Sequence, residues 1–141
     1  MHISFTGTQK GLTLLQRKAL ANELLVNANV EVTHSGDCKG ADDEFRKIAI
    51  EVYPHAKHEG HPCDIEYMRA NGKFHIVHTS KPPLDRNRDM VDVSAMLYGC
   101  PKGKDEELRS GTWATIRYAR KLNRPITLIF PDGEIKKENH K

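Results

Sequence analysis

A three-layer α/β sandwich, with helices on both faces of a mainly parallel sheet of about five to six strands, is predicted by three observations. Short apolar segments of about 4–6 residues alternate with helical patterns of about 8–16 residues. The alternation recurs about five times along the chain. Gly-, Ser- and Thr-rich turns precede most of the helical patterns, as strand-to-helix turns do in such sheets. The 141 residues, 38% of them hydrophobic, suffice for one domain with a core on each side of the sheet.

Each element follows in order. Met1 to Thr6 alternates around Ile3 and Phe5 and reads as the first strand, ending in "TGTQKG". Leu12 to Asn27 is a helical pattern, with Leu14, Ala21, Leu24, Leu25 and Ala28 expected on its apolar face. Val30 and Val32 mark a second strand, broken by Ser35-Gly36. "GADDEFRKIAIEVY" places Phe45, Ile48, Ala49 and Val52 at helical spacing, and Pro54 ends that helix. "HAKHEGHP" is a third, polar strand and "FHIVHT" (Phe74 to Thr79) a fourth. A short helix follows from Asp85 to Val93, then "AMLYGCP" as the fifth strand. Gly111 to Leu122 is the last helix and "PITLIFP" the most apolar strand. Residues 1–133 are expected to form a single domain, and the charged residues 134–141 a flexible tail.

The net charge of +3, a pI near 8.8 and a mean hydropathy of −0.64 describe a mildly basic, polar chain. Acidic residues are interleaved with the basic ones, which accommodates an anionic ligand but makes a nucleic-acid partner the less expected one. Three widely spaced cysteines without a CxxC pair give no disulfide framework and point to a reducing compartment. The first residues are too weakly apolar for a signal peptide, and no run approaches a membrane span, so a soluble cytoplasmic protein is expected.

In an open parallel sheet, ligands bind beyond the carboxyl ends of the strands, where helix N-termini offer free N–H groups and a positive dipole end. Four loops occupy that position: "TGTQKG" with Gly7, Thr8 and Gln9, "HSGDCKGAD", "PPLDRNRDM" and "LRSGTW". None is a Walker A loop or a complete GxGxxG. Arg86 and Arg88 flank Asn87 at a helix start and suit bidentate contact with a phosphate or carboxylate, or alternatively pair with Asp85 and Asp89 on a solvated face. Arg109 adds a cation before Ser110, Gly111 and Thr112. Trp113 either stacks on a ligand ring or packs into the core; its spacing from Ile116 and Ala119 favours the core.

In this order, "HSGDCKGADDEFRKIA", His61-Pro62, "DRNRDMVDVSAMLYGCP", "RSGTWATIRYAR" and "PITLIFPDG" resemble the SLOG superfamily, most closely its small stand-alone YspA-like branch. The superfamily also holds the LOG phosphoribohydrolases and the DprA DNA-processing proteins. The resemblance spans nearly the whole chain and implies a Rossmann-like domain binding a nucleotide or nucleotide-derived ligand. It brings Gly36, Asp37, Cys38, Gly40, Ala41 and Asp42 to phosphate or ribose, His61 to the pocket wall, and Arg86, Asn87 and Arg88 to the pocket. Gly111 and Thr112 match the Gly-Thr pair of the phosphate-binding PGGxGT motif, while Leu108-Arg109-Ser110 replace its Pro-Gly-Gly. The hydrolytic glutamate that LOG enzymes carry next is replaced by Ala114 and Thr115.

The expected function is therefore binding of an ADP-ribose-like or cyclic nucleotide ligand, as a sensor or a sequestering sponge, with no cofactor; a phage inhibitor of host nucleotide immune signalling is one concrete form. The resemblance also implies a homo-dimer or higher homo-oligomer. The alternatives are an N-glycoside hydrolase or transferase on nucleoside monophosphates, using a pocket acid (Asp42 or Asp89 first, with Asp37 and Glu107 also able to supply a base), and, less expected, a single-stranded DNA binder. No metal is expected: His55, His58, His61 and Cys63 lie on a strand-like segment whose successive side chains point to opposite faces. Cys38 as a catalytic thiolate has no partner fixed by the sequence except His34.

Overall fold

The computed structural model describes residues 1–140. The chain runs β1 (His2–Gly7), α1 (Leu14–Leu25), β2 (Val32–Ser35), α2 (Ala41–Val52), β3 (Lys57–Gly60), a 3₁₀ turn (Glu66–Met68) and β4 (Ile76–Val77). It continues through α3 (Pro83–Asp92), β5 (Met96–Cys100), α4 (Gly111–Lys121), β6 (Ile126–Ile129) and β7 (Ile135–Glu138). The sheet has seven strands in the order β4-β3-β2-β1-β5-β6-β7, one or two more than expected. All neighbours are parallel except β6 and β7.

The additional strand corrects the expectation of a flexible tail over residues 134–140; Lys141 lies outside the described residues. Gly133, with φ of +86°, reverses the chain after Phe130, and Ile129 pairs with Ile135 in the returning strand. Glu138 then accepts hydrogen bonds from Arg120 Nε (2.7 Å) and Nη2 (2.9 Å). Lys136 and Lys137 on this edge oppose further strand pairing.

Alternation along β5 and β6 feeds two cores. Ile3, Phe5, Tyr98 and Cys100 pack with Leu20 and Leu24 of α1 and with Phe45 and Ala49 of α2. On the other face Leu97, Ile126 and Leu128 pack with Val91 of α3 and with Trp113, Ile116 and Ala119 of α4. Of the face expected of α1, only Leu24 is buried. Gln16, Leu20 and Leu24 point inward, whereas Leu14 and Leu25 are 66% and 62% exposed. A polar side chain sets the rotation. Gln16 closes a capping box with Thr13, and its buried amide donates to the carbonyls of Pro101 (2.9 Å) and Ile129 (3.0 Å).

Candidate functional site

β1 lies between β2 and β5, so the strand order reverses around it and a crevice opens at its carboxyl end. A cleft of about 620 Å³ occupies that crevice. Its floor is the end of β1 with Gly7, Thr8 and Gln9; Cys38 and Asp42 form one wall, Arg86 and Asn87 of α3 another. Arg109, Ser110, Gly111 and Thr112 close it at the start of α4.

Local chemistry shapes that rim. Ser110 caps α4, its Oγ accepting from the Trp113 N–H at 3.2 Å. The N–H groups of Gly111 and Thr112, in the first turn, have no intrahelical acceptor, and both residues line the cleft. Lys102 pairs with Glu107 at 3.2 Å, whereas Lys10 and Arg109 are exposed and form no ion pair among the described residues. The rim thus carries two free cations beside a helix N-terminus, a combination that attracts anions.

Arg86 is the buried centre of the wall. Its Nη1 donates to the carbonyls of Gly36 and His61, its Nη2 donates to Cys38 Sγ at 3.2 Å, and its Nη1 lies 4.0 Å from Asp42 Oδ2. Burial pushes the Asp42 carboxyl up to about 6, against the pull of Arg86. Burial, with Asp42 close by, pushes the Cys38 thiol up to about 12, which opposes the thiolate form weighed from the sequence.

The other residues expected at the site fall elsewhere. Gly40, with φ of +92°, lets its loop press against the Gln9 backbone, and the Ala41 N–H donates to the Thr8 carbonyl at 3.1 Å; both support the cleft floor from behind. Gly36 lies behind Arg86, and Asp37 accepts from the Gly72 N–H at 2.8 Å, tying down the segment after the 3₁₀ turn. Arg88 lies outside the cleft, over the Tyr118 ring at 5.6 Å, because it is on the outward side of α3. Trp113 is 2% exposed in the core between the sheet and α4, where its helical spacing directs it. Asp89 also misses the cleft and pairs with Lys81 at 2.6 Å.

Lys10, Lys102 and Met68 line the cleft without having been singled out, and Glu107, one of the acids weighed as a base, lines it too. Lys10 belongs to a recognised loop, and Lys102 follows the end of β5, so the strand-end rule contained the signal for both. Met68 is brought in by the pairing of Cys38 with Arg69, which nothing local announces. Ala114 and Thr115 line a separate depression between α3 and α4, so a longer side chain there would not face the cleft directly.

His61 belongs to a different constellation, a row of side chains on one face of β1 to β4. His2 Nδ1 and His34 Nε2 share a hydrogen bond of 2.9 Å, as do His34 Nδ1 and His61 Nε2. The His61 ring stacks on His78 at 4.1 Å, and His78 Nε2 lies 2.7 Å from Glu59 Oε1. Burial lowers His34 to about 4 and His61 to about 3. Of the histidines weighed from the sequence, His55 is exposed, and His58 faces away to Thr33 and the Tyr53 carbonyl.

Fold and cleft together define a Rossmann-like α/β domain with an anion-receptive crevice at its switch point. Among solved structures the chain is similar to DNA processing protein A (DprA) from Streptococcus pneumoniae, at 19% identity and a TM-score of 0.67, over 90% of this chain and 49% of that one. It is also similar to the protein TM1055, at 15% identity and TM-score 0.61, over 89% of this chain and 71% of that one. DNA processing protein A from Helicobacter pylori, whose structure is described for a unique single-stranded DNA binding mode, matches at 19% identity and TM-score 0.59, over 91% and 64%. The chain thus shares the α/β fold of these three structures, as the resemblance of its loop motifs implies. The chain spans about half the length of the pneumococcal protein. No family model and no curated protein matches the chain. No helix among the described residues is long and apolar enough to cross a membrane.

Proposed function

We propose that the switch-point cleft binds a nucleotide or nucleotide-derived ligand, with its phosphate against the first turn of α4. The observation that carries this reading is the convergence of unpaired Arg109 and Lys10 with the α4 N-terminus on one cleft. Its volume of about 620 Å³ suits a small-molecule ligand. A protein that only holds such a ligand acts as a sensor or a sponge, a phage inhibitor of nucleotide signalling being one form. Calorimetry against mononucleotides, ADP-ribose, its cyclic isomers and cyclic dinucleotides tests the reading. Binding weakened at least about tenfold by Arg109→Glu, and unchanged by Arg88→Glu outside the cleft, is expected for a charge-assisted phosphate contact. No binding across the panel overturns it.

A second reading, single-stranded DNA in the same cleft, is favoured by the likeness to two DNA processing proteins, one of them described binding such DNA. Salt-sensitive oligonucleotide binding that a mononucleotide does not displace would replace the first reading with this one. A hydrolase reading rests on Asp42, whose raised carboxyl holds a proton closer to neutral pH, as a general acid requires. Release of free base from AMP, lost on Asp42→Asn, would establish it.

A further inference from the structure

We propose that His34, Glu59, His61 and His78 form a binding site for one divalent transition-metal ion, with Zn²⁺ as the fitting ion. The register of the sheet builds it. Ser4 sits between Ile3 and Phe5, which belong to the α1/α2 core, so Ser4 faces the opposite side of the sheet. His34 is the register partner of Ser4, and Glu59 the partner of His34. His61 lies two residues beyond Glu59, and His78 two beyond Ile76, the partner of Glu59. The period of two therefore brings all four side chains to one face, from three adjacent strands and their ends.

Four donor atoms, one from each residue, lie within 4.8 Å of one another. Ligand atoms about 2.0–2.1 Å from a tetrahedral Zn²⁺ stand about 3.3 Å apart. The separations here straddle that value: 2.7 Å for His78 Nε2 to Glu59 Oε1, 2.9 Å for His34 Nδ1 to His61 Nε2, and 3.8 Å for His34 Nδ1 to Glu59 Oε1. Three imidazoles and one carboxylate are the borderline nitrogen and oxygen donors that Zn²⁺ takes. His2 stands behind His34, bonded to its other ring nitrogen, which is how an outer partner orients a ligating histidine.

Solvent reaches the group. α3 and α4 pack over β1, β5 and β6, and next to α3 a depression of about 310 Å³ is lined by His61, His78, Lys81 and Asp89. Lys81 is engaged by Asp89, and the buried Arg86 charge faces Asp42. Arg86 borders both this depression and the main cleft, and it holds the His61 carbonyl. An ion on His61 thereby stiffens the wall of the cleft and anchors the two-residue strand β4 through His78.

The test uses the full chain, stripped with EDTA and titrated with Zn²⁺ against a chromophoric chelator at about pH 7.5, where an ordinary imidazole is neutral. One Zn²⁺ per chain with a dissociation constant below about 1 μM is expected, together with the visible absorption of tetrahedral Co²⁺ on substitution. His78→Ala, at a partly exposed position, and Glu59→Gln should each weaken binding at least about tenfold, and His55→Ala should leave it unchanged. Melting curves of the metal-free variants show that each is folded. Failure of the wild-type chain to bind tighter than about 100 μM overturns the proposal, and so does an affinity unchanged in both variants.

Discussion

An alanine at position 36 would put its Cβ on the Arg86 guanidinium and 2.7 Å from Asp42 Oδ2. Gly36 therefore serves the cleft by its missing side chain, since the space a Cβ needs is taken by the arginine that it holds through its carbonyl. Gly36→Ala is expected to displace Arg86, to lower stability by about 1–3 kcal/mol in urea titration, and to weaken whatever ligand the cleft holds. A variant as stable as the wild type would mean that the arginine has another seat. The histidines illustrate the same dependence on neighbours. "HEGH" gives His58 and His61 to opposite faces, and only the adjacent strands supply His61 with partners.

Among the elements, β7 departs most from expectation. "EIKKE" has one apolar residue and reads as a tail, yet it closes the edge of β6, whose four residues are all buried. The ladder and the Arg120–Glu138 pair compensate for weak intrinsic propensity. A chain ending at Gly133 is expected to melt several degrees lower and to aggregate on heating, because β6 becomes an open apolar edge. An unchanged melting temperature would show β7 to be dispensable. Helix α1 teaches a related lesson: apolar spacing suggested a face of Leu14, Ala21, Leu24, Leu25 and Ala28, and the helix, turned by one buried glutamine, buries only Leu24 of these.

At the scale of the whole molecule, β5 and β6 contribute side chains to both cores, so neither layer of helices can be lost without exposing the other's strands. One cooperative unfolding transition is expected. Trp113, the sole tryptophan, reports the α4 side by fluorescence, while circular dichroism reports all helices. Coincident urea transitions are the expected result; an earlier fluorescence transition would show the α3/α4 layer melting on its own.

Periodicity in the sequence determined the order of strands and helices up to β6, because a core on each side of the sheet imposes spacings of two and 3.6 on local residues. Its strand-end rule also marked most of the cleft, since Gly7, Gly111 and Thr112 lie where any open parallel sheet turns into its helices. The tertiary structure alone decided that Arg86 faces the crevice and Arg88 turns away from it, and alone brought Met68 to the cleft. It alone assembled the histidine row as well, because strand register is a relation between distant segments and no local pattern carries it.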